Sequence, residues 1–311
     1  MNKGEIKLKW EKKGLIYSTD GNSNWAKNST LQPTPLLIDE STIRIFAGFR
    51  DDKGVSRVGY VDVDANNPQI IKKVSKEPVL DIGLPGSFDD NGVVPCAVIN
   101  NEGKIHLYYA GYQLGYHVRM MIYCGLAISE DNGCSFKRYS KVPVLERSDS
   151  ELLFRVIHSV IKENNKWRIY YGGGSYFKRG KKKTLPLYDI RYMESDNGIE
   201  FEDHGDIVIT TQGDEYRVGR PYVIKDEGIY KMFFCAGSED LTYKLAYAES
   251  NNGVNWIRDD DKLNISLSES GWDSQMMAYP SVIKHHEKTY LFYNGNNYGY
   301  DGFGYAELIN N

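Results

Sequence analysis

The sequence lacks long apolar runs, a cysteine framework and a strong charge of one sign. No apolar stretch approaches the roughly 18 residues that cross a bilayer, so no membrane span is expected. Lys and Arg total 38 against 42 Asp and Glu, a net charge of −4 that argues against a nucleic-acid partner. The cysteines have no metal-ligand spacing, which predicts reduced thiols, no metal site and no cofactor. They are Cys96, Cys124, Cys134 and Cys235.

The first fourteen residues are polar and lysine-rich and have no apolar core of the kind found in signal peptides. Together with the cysteines, this favours a cytoplasmic protein. Tyrosine, by contrast, is abundant, with 24 residues. Tyrosine suits both β-strands and surfaces that stack against sugars.

The chain contains a repeat of about sixty residues, in which an apolar run is followed by a segment ending in aromatics and glycine. A repeat of this length that holds several short strands is typical of a radial array of sheets and not of a helical solenoid. It predicts an all-β fold, a five-bladed β-propeller that forms one domain over residues 1–311. The corresponding positions, spaced by 60, 64, 62 and 59 residues, are Pro35, Pro95, Ser159, Pro221 and Pro280.

The fifth copy ends on what matches a third strand, Phe303–Leu308, and therefore lacks its fourth. Residues 6–17, which include Trp10, resemble the fourth strands that carry Phe136, Phe201 and Trp256. We therefore expect the N-terminal strand to complete the last blade. Closure of this kind removes exposed sheet edges.

Ionisable residues stand directly before the predicted inner strands, where a propeller gathers them at one mouth of its axial channel. Charged groups at the start of apolar strands are costly unless they meet in a wet pocket. Glycoside cleavage uses two carboxylates across such a pocket. The catalytic candidates are Asp90, Glu215 and Asp273. In the alternative interpretation, each acid pairs with a neighbouring arginine and only closes the channel.

Basic residues at the same mouth predict an anionic ligand such as a phosphate- or carboxylate-bearing sugar. Alternatively, these arginines only neutralise the nearby acids. His158 is a candidate proton shuttle or axial metal ligand. Alternatively, it is a hydrogen-bonded pocket residue, since no second His or acid completes a metal motif around it. The predicted substrate-binding residues are Arg50, Asp89, Arg155, His158, Arg217, Arg220 and Tyr279.

The repeat, with its Tyr-Tyr-x-Gly and Ala-Glu-Ser segments, resembles the five-bladed glycosidase superfamily over nearly the whole chain. That superfamily includes the family 43 enzymes, the invertase-like enzymes and the family 130 phosphorylases. Residues 272–280 and Gly219-Arg220-Pro221 look like segments of uncharacterised glycosidase-like proteins from bacterial polysaccharide clusters. The resemblance implies a carbohydrate ligand.

The sequence departs from this superfamily at two of the usual acids. Family 43 and invertase-like enzymes have an Asp directly before the first inner-strand proline, where this chain has Thr34-Pro35. The third copy has Arg155-Val156-Ile157-His158 in place of the acid-containing form. The family's catalytic triad therefore cannot be transferred to this chain. The arginines make the site more similar to that of the phosphorylases.

The sequence leaves three functions open. The leading hypothesis is a glycoside hydrolase-like enzyme that acts on a bacterial glycan or an anionic or activated sugar by carboxylate acid–base catalysis. The second is a phosphorylase or an enzyme of phosphorylated or nucleotide-linked sugars. The third is a propeller that binds glycans without cleaving them.

Overall fold

A computed structural model describes residues 7–241 and 243–309. Over these residues the fold is almost entirely β, with two short helices, Asp260–Leu263 and Asn296–Gly299. No helix in the described ranges is long and apolar enough to cross a membrane.

The strands fall into five groups along the chain, and strands that follow one another within a group pair antiparallel. The first group is β2 to β5, over Asn28–Asp39, Thr42–Arg50, Ser56–Asp64 and Ile71–Val74. The second is β6 to β9, over Val93–Asn101, Lys104–Gln113, Met121–Ser129 and Lys137–Arg138. The third is β10 to β13, over Phe154–Glu163, Lys166–Arg179, Thr184–Ser195 and Asp206–Ile209.

The fourth group is β14 to β17, over Arg217–Asp226, Ile229–Gly237, Lys244–Ser250 and Ile257–Arg258. The fifth is β18 to β20, over Ala278–His285, Lys288–Asn294 and Phe303–Leu308, together with β1 at Trp10–Tyr17. Short parallel pairings of β8 with β10 and of β12 with β14 join the second, third and fourth groups into one twelve-stranded sheet.

The N-terminal strand pairs with the last strand, as the sequence predicts. β1 runs antiparallel to β20, with Trp10 opposite Leu308 and Tyr17 opposite Phe303. The start of the predicted range, residue 6, lies outside the described residues. The fifth group therefore has four strands. The end of the chain supplies β18, β19 and β20, and the start of the chain supplies β1.

The apolar core consists mainly of five clusters, each of which lies between two groups. Four of them join groups that are consecutive in the chain. The remaining cluster joins the first group to the fifth, for example Ile43 and Ile45 with Tyr290 and Phe292. Apolar packing thus also joins the first strand group to the last.

The paired tyrosines of the repeat serve two different contacts, because neighbouring strand residues point to opposite faces of a sheet. In β7, the hydroxyl of Tyr108 donates to the carbonyl of Gly198 in the third group, 2.7 Å away. The hydroxyl of Tyr109 points the other way and donates to Asp89 of its own group. β11 repeats this division, with Tyr170 donating to Gly253 and Tyr171 to Glu151. Since these hydroxyls are buried, the partners satisfy groups that would otherwise be costly to bury.

We predict that Tyr108→Phe lowers the free energy of unfolding by about 1 to 2 kcal/mol, because it leaves the buried Gly198 carbonyl without this donor. Denaturant unfolding measures the change. Tyr116→Phe is the control, since Tyr116 is 97% exposed. Equal stabilities of the two variants would contradict a role for this hydroxyl in joining the groups.

Candidate functional site

A cavity of about 290 Å³ is lined by residues from all five strand groups. We call it the arginine cavity, because its charged lining residues are Arg50, Arg119, Lys183, Arg217 and Arg220. Its aromatic wall is formed mainly by Tyr112, Tyr188, Tyr243, Tyr279 and Tyr298. The volume is at the lower end of the range for small-molecule sites, so the cavity suits a small ligand or one end of a larger one.

Three lining residues reach the cavity from irregular positions in the inner strands. Gln32, Arg220 and Tyr279 have φ of 54°, 56° and 55°, each where the pairing of β2, β14 or β18 shifts register. Non-glycine residues rarely adopt positive φ, at a cost of about 1 kcal/mol or more each. Bulges of this kind re-aim side chains and are frequent beside active sites. The repeated strain therefore marks this cavity as the functional candidate.

Arg220 is buried and, among its described partners, binds only neutral groups. Its guanidinium donates to the carbonyl of Cys96, to the carbonyl of His158 at 3.3 Å and to Thr34 Oγ1 at 2.9 Å. These partners belong to the second, third and first groups. Burial lowers the pKa of Arg220, which reflects an environment that compensates its charge poorly.

Arg217 is held against aromatic rings. Its guanidinium carbon lies 3.9 Å from the ring centroid of Tyr243 and 4.9 Å from that of Tyr216. Its Nη2 lies 3.4 Å from the hydroxyl of Tyr298. Tyrosine faces attract a guanidinium without removing its positive charge.

Two further lining residues have buried nitrogens to which the described part of the chain offers no hydrogen-bond partner. These are Nε of Arg50 and Nδ1 of His158. Burial, and then the charge of Arg220, lowers the pKa of His158 well below its usual value. His158 is therefore a neutral imidazole at neutral pH, able to donate or accept a hydrogen bond. Burial also raises the pKa of Tyr279 and Tyr243 well above 10, so both hydroxyls stay protonated.

Among the described residues that line the arginine cavity there is no Asp or Glu. The structure thus brings together five of the predicted site residues, Arg50, His158, Arg217, Arg220 and Tyr279. It does not bring Asp90, Glu215 or Asp273 into this lining.

Three of the acids before the inner strands instead pair with cations on the fourth strand of their own group. Asp89 accepts from Arg138 of β9 at 2.8 Å, and Asp273 accepts from Lys12 of β1 at 2.8 Å. Glu215 binds Arg258 of β17 through two hydrogen bonds, at 2.7 and 2.9 Å. Tyr109 and Tyr293 donate to Asp89 and Asp273 as well. These pairs hold the loop before each inner strand against the outer strand, which supports the alternative interpretation of these acids.

Arg155 and Asp90 have different partners. Arg155 is buried and pairs with Glu151, with 2.5 Å between Nε and Oε2, so the predicted ligand-binding arginine holds its own loop. Asp90 accepts a hydrogen bond from the backbone nitrogen of Gly86 at 2.7 Å and closes the turn before β6. Arg155, Asp89 and Asp90 are likewise outside the lining of the arginine cavity.

The site residues missed by the sequence reasoning are Arg119, Tyr188 and Tyr243. Arg119 belongs to the loop between β7 and β8, and its guanidinium carbon lies 5.7 Å from the ring centroid of Phe177. Tyr188 lies within β12, and its hydroxyl forms a hydrogen bond with that of Tyr243. Neither tyrosine stands before an inner strand, which was the main signal used for the prediction.

Comparisons with known proteins identify a full-length relative and a shared fold. The chain is 33% identical over 304 residues to the Mycobacterium tuberculosis (strain ATCC 25618 / H37Rv) protein described as uncharacterized protein Rv1502. The alignment covers 97% of this chain and 100% of the relative. No family model matches the chain.

Among solved structures, a thermostable family-43 glycoside hydrolase matches with a TM-score of 0.68 and 19% identity, covering 92% of this chain and 90% of that one. A glycosyl hydrolase from Bacteroides ovatus matches with a TM-score of 0.71 and 14% identity, covering 97% and 94%. At these identities the likeness concerns the fold. It confirms the propeller-type β fold and the resemblance to the glycosidase superfamily expected from the sequence.

We predict that Glu215→Gln lowers the free energy of unfolding by about 3 kcal/mol, because it removes one partner of a buried ion pair whose side chains are each only 6% exposed. Thermal and denaturant unfolding measure the loss. Asp214→Asn, at an exposed neighbour, is the control and should change stability by less than about 0.5 kcal/mol. Unchanged stability in Glu215→Gln would argue that the carboxylate serves another purpose than holding the loop.

Proposed function

We propose that this chain, which belongs to the same family as the Mycobacterium tuberculosis protein Rv1502, is a glycoside hydrolase-like protein that binds an anionic saccharide in the arginine cavity. The carbohydrate ligand class is supported by the fold shared with glycoside hydrolases. The anionic character is supported by the residues of the cavity itself.

The observation that carries the proposal is the charge of the cavity lining. Four arginines and one lysine surround it, and no described lining residue is a carboxylate. A buried cation is stable only when a charge or several hydrogen bonds compensate it. A phosphate or carboxylate on the ligand would add an opposite charge to this lining, and guanidinium groups bind both through paired hydrogen bonds.

The remaining lining residues suit the neutral part of a sugar. Tyr112, Tyr279 and Tyr298 offer ring faces for stacking on the apolar side of a pyranose. Gln32 and the neutral His158 offer hydrogen bonds to hydroxyl groups. The cavity volume, about 290 Å³, suits a single sugar unit with its charged substituent.

We also propose that the five strand groups are the five blades of one propeller domain over residues 1–311, with β1 as the outer strand of the last blade. The pairing of β1 with β20 and the apolar cluster between the first and fifth groups support this arrangement. A propeller of this kind would place the arginine cavity on its axis, since all five groups contribute to the lining.

A protein that binds the glycan without cleaving it is the second candidate. It is favoured by the lack of carboxylates among the described lining residues, because glycoside hydrolysis requires two carboxylates facing the bond. Catalysis by Asp90, Glu215 and Asp273 remains a prediction, and it would require these loops to approach the sugar. Phosphorolysis also remains open, since the same cations would bind inorganic phosphate.

Anionic sugars are expected to bind more tightly than their neutral parents, and the cavity arginines are expected to account for the difference. Arg217→Gln and Arg50→Gln should each weaken the binding of a sugar phosphate or a uronic acid by at least about tenfold, the cost of a lost charge-assisted hydrogen bond. Isothermal titration calorimetry against each acid and its neutral parent measures this. Arg179→Gln, at an exposed arginine outside the lining, is the matched control. Equal affinities for charged and neutral sugars would contradict the proposal.

Turnover separates the enzyme from the binding protein. If Asp90 is a general acid or base, Asp90→Asn lowers the rate of glycan cleavage at least about a hundredfold and leaves stability within about 0.5 kcal/mol. Assays with and without inorganic phosphate over a panel of anionic glycans give the rates. Binding of a glycan with no cleavage in either condition would establish the second candidate.

A further inference from the structure

We propose that Glu40, His285 and His286 form a binding site for a divalent transition-metal ion, for which Zn²⁺ is the probe. The three residues lie on two turns far apart in the chain. Glu40 is in the turn between β2 and β3, and His285 and His286 are at the turn between β18 and β19. The site would therefore connect the first strand group to the fifth.

The distances suit a metal ion. One ligand atom from each residue lies within 4.8 Å of the other two. Nε2 of His286 and Oε2 of Glu40 are 3.6 Å apart. Tetrahedral Zn²⁺ holds its nitrogen and oxygen ligands about 2.1 Å away, which places them about 3.4 Å from each other. The distance between His286 and Glu40 is thus close to that of two ligands on one Zn²⁺.

His285 provides the independent sign that a ligand belongs here. It is only 3% exposed, and its Nε2 has no hydrogen-bond partner in the described part of the chain. A buried imidazole nitrogen without a partner is costly, and a metal ion bound through Nε2 would satisfy it.

The backbone brings the two histidines together against the normal pattern of a strand. Successive strand residues point to opposite faces. His286 instead has φ of 52°, a conformation that non-glycine residues rarely adopt. Its ring centroid lies 4.1 Å from that of His285 as a result. The strained turn thus places two metal-ligand side chains side by side.

The ligand types select the class of ion. Two imidazoles and one carboxylate suit Zn²⁺ and its transition-metal neighbours, whereas Mg²⁺ and Ca²⁺ prefer sites made of oxygen. Glu40 and His286 are exposed, so an ion and a completing water molecule can reach them from solvent. The nearby ammonium groups of Lys284 and Lys288 bind Asp226 and the carbonyl of Asn66, away from the three ligands.

This site is separate from the arginine cavity. Tyr279, at the cavity, and His285 stand near opposite ends of β18, about 20 Å apart at the usual rise of a strand. The metal would act as a clip between the first and fifth groups, which already share an apolar cluster and the hydrogen bond from Ser281 Oγ to the carbonyl of Pro33. Its expected effect is on stability.

The test is calorimetric titration of the full-length, tag-free chain with Zn²⁺ after treatment with a chelator, in a Cys134→Ser background to remove the exposed thiol. We expect one Zn²⁺ per chain. His286→Ala and Glu40→Gln should each weaken binding by at least about a hundredfold, since even residues that only orient a metal ligand contribute 10- to 100-fold. Zn²⁺ at a hundred times its dissociation constant should raise the melting temperature by roughly 5 °C, and Mg²⁺ should not.

His204→Ala is the matched control. His204 has the same 65% side-chain exposure as His286 and lies 3.5 Å from Asp203, but the described residues give it no third ligand. Loss of Zn²⁺ binding in this control, undiminished binding in His286→Ala, or no binding by the parent chain would each overturn the proposal. The two variants at exposed ligands keep the test valid even if a substitution at buried His285 prevents folding.

Discussion

A positive charge buried among neutral groups is the constraint on which the site depends. Arg220 contacts three other strand groups, and its described partners are two carbonyls and a hydroxyl. Arg217 is packed against tyrosine rings in the same cavity. The described partners of Arg220 do not include the carboxylate that compensates the charge in a buried salt bridge. The described lining of the cavity, to which all five groups contribute, carries four arginines and one lysine and no Asp or Glu.

The acids that could have compensated this charge are held elsewhere. Asp89, Glu215 and Asp273 occupy corresponding places in three groups, and each is bound to a cation of its own outer strand. This segregation has two consequences. The loops before the inner strands are fixed from the outside, and the cavity side is left to arginine, tyrosine and histidine. Under the proposed function, the same ion pairs that stabilise the fold keep these carboxylates out of the cavity lining and so favour an anionic ligand there.

Much of the fold could be predicted from the sequence, because repeats and strand periodicity are local signals. The spacing of the inner-strand positions indicated the five strand groups, and the missing fourth strand after Phe303–Leu308 indicated the pairing with β1. The paired tyrosines were visible as a motif, but their division between two faces needed the sheet. Position beside an inner strand, and for Arg50 the end of the second strand, indicated five residues that line the cavity, and their role as a binding site stays a prediction.

The same signal could not tell which way a charged side chain turns. Asp273 and Tyr279 are close in sequence, yet the first is bound to Lys12 and the second lines the cavity. That choice depends on a bulge and on a cation more than 250 residues away, neither of which a local pattern contains. Tyr188 and Tyr243 were missed for a related reason, since they reach the cavity from a strand interior and a loop. The three residues of the proposed metal site come together only through the contact between the first and fifth groups.

The most direct test of the account is a crystal structure of the protein grown with inorganic phosphate. The account predicts an anion in the arginine cavity within hydrogen-bond distance of the guanidinium groups of Arg50 and Arg217. A cavity that holds only water at a saturating phosphate concentration, or one that takes up a cation, would contradict the proposal that this lining of cations without carboxylates binds an anion.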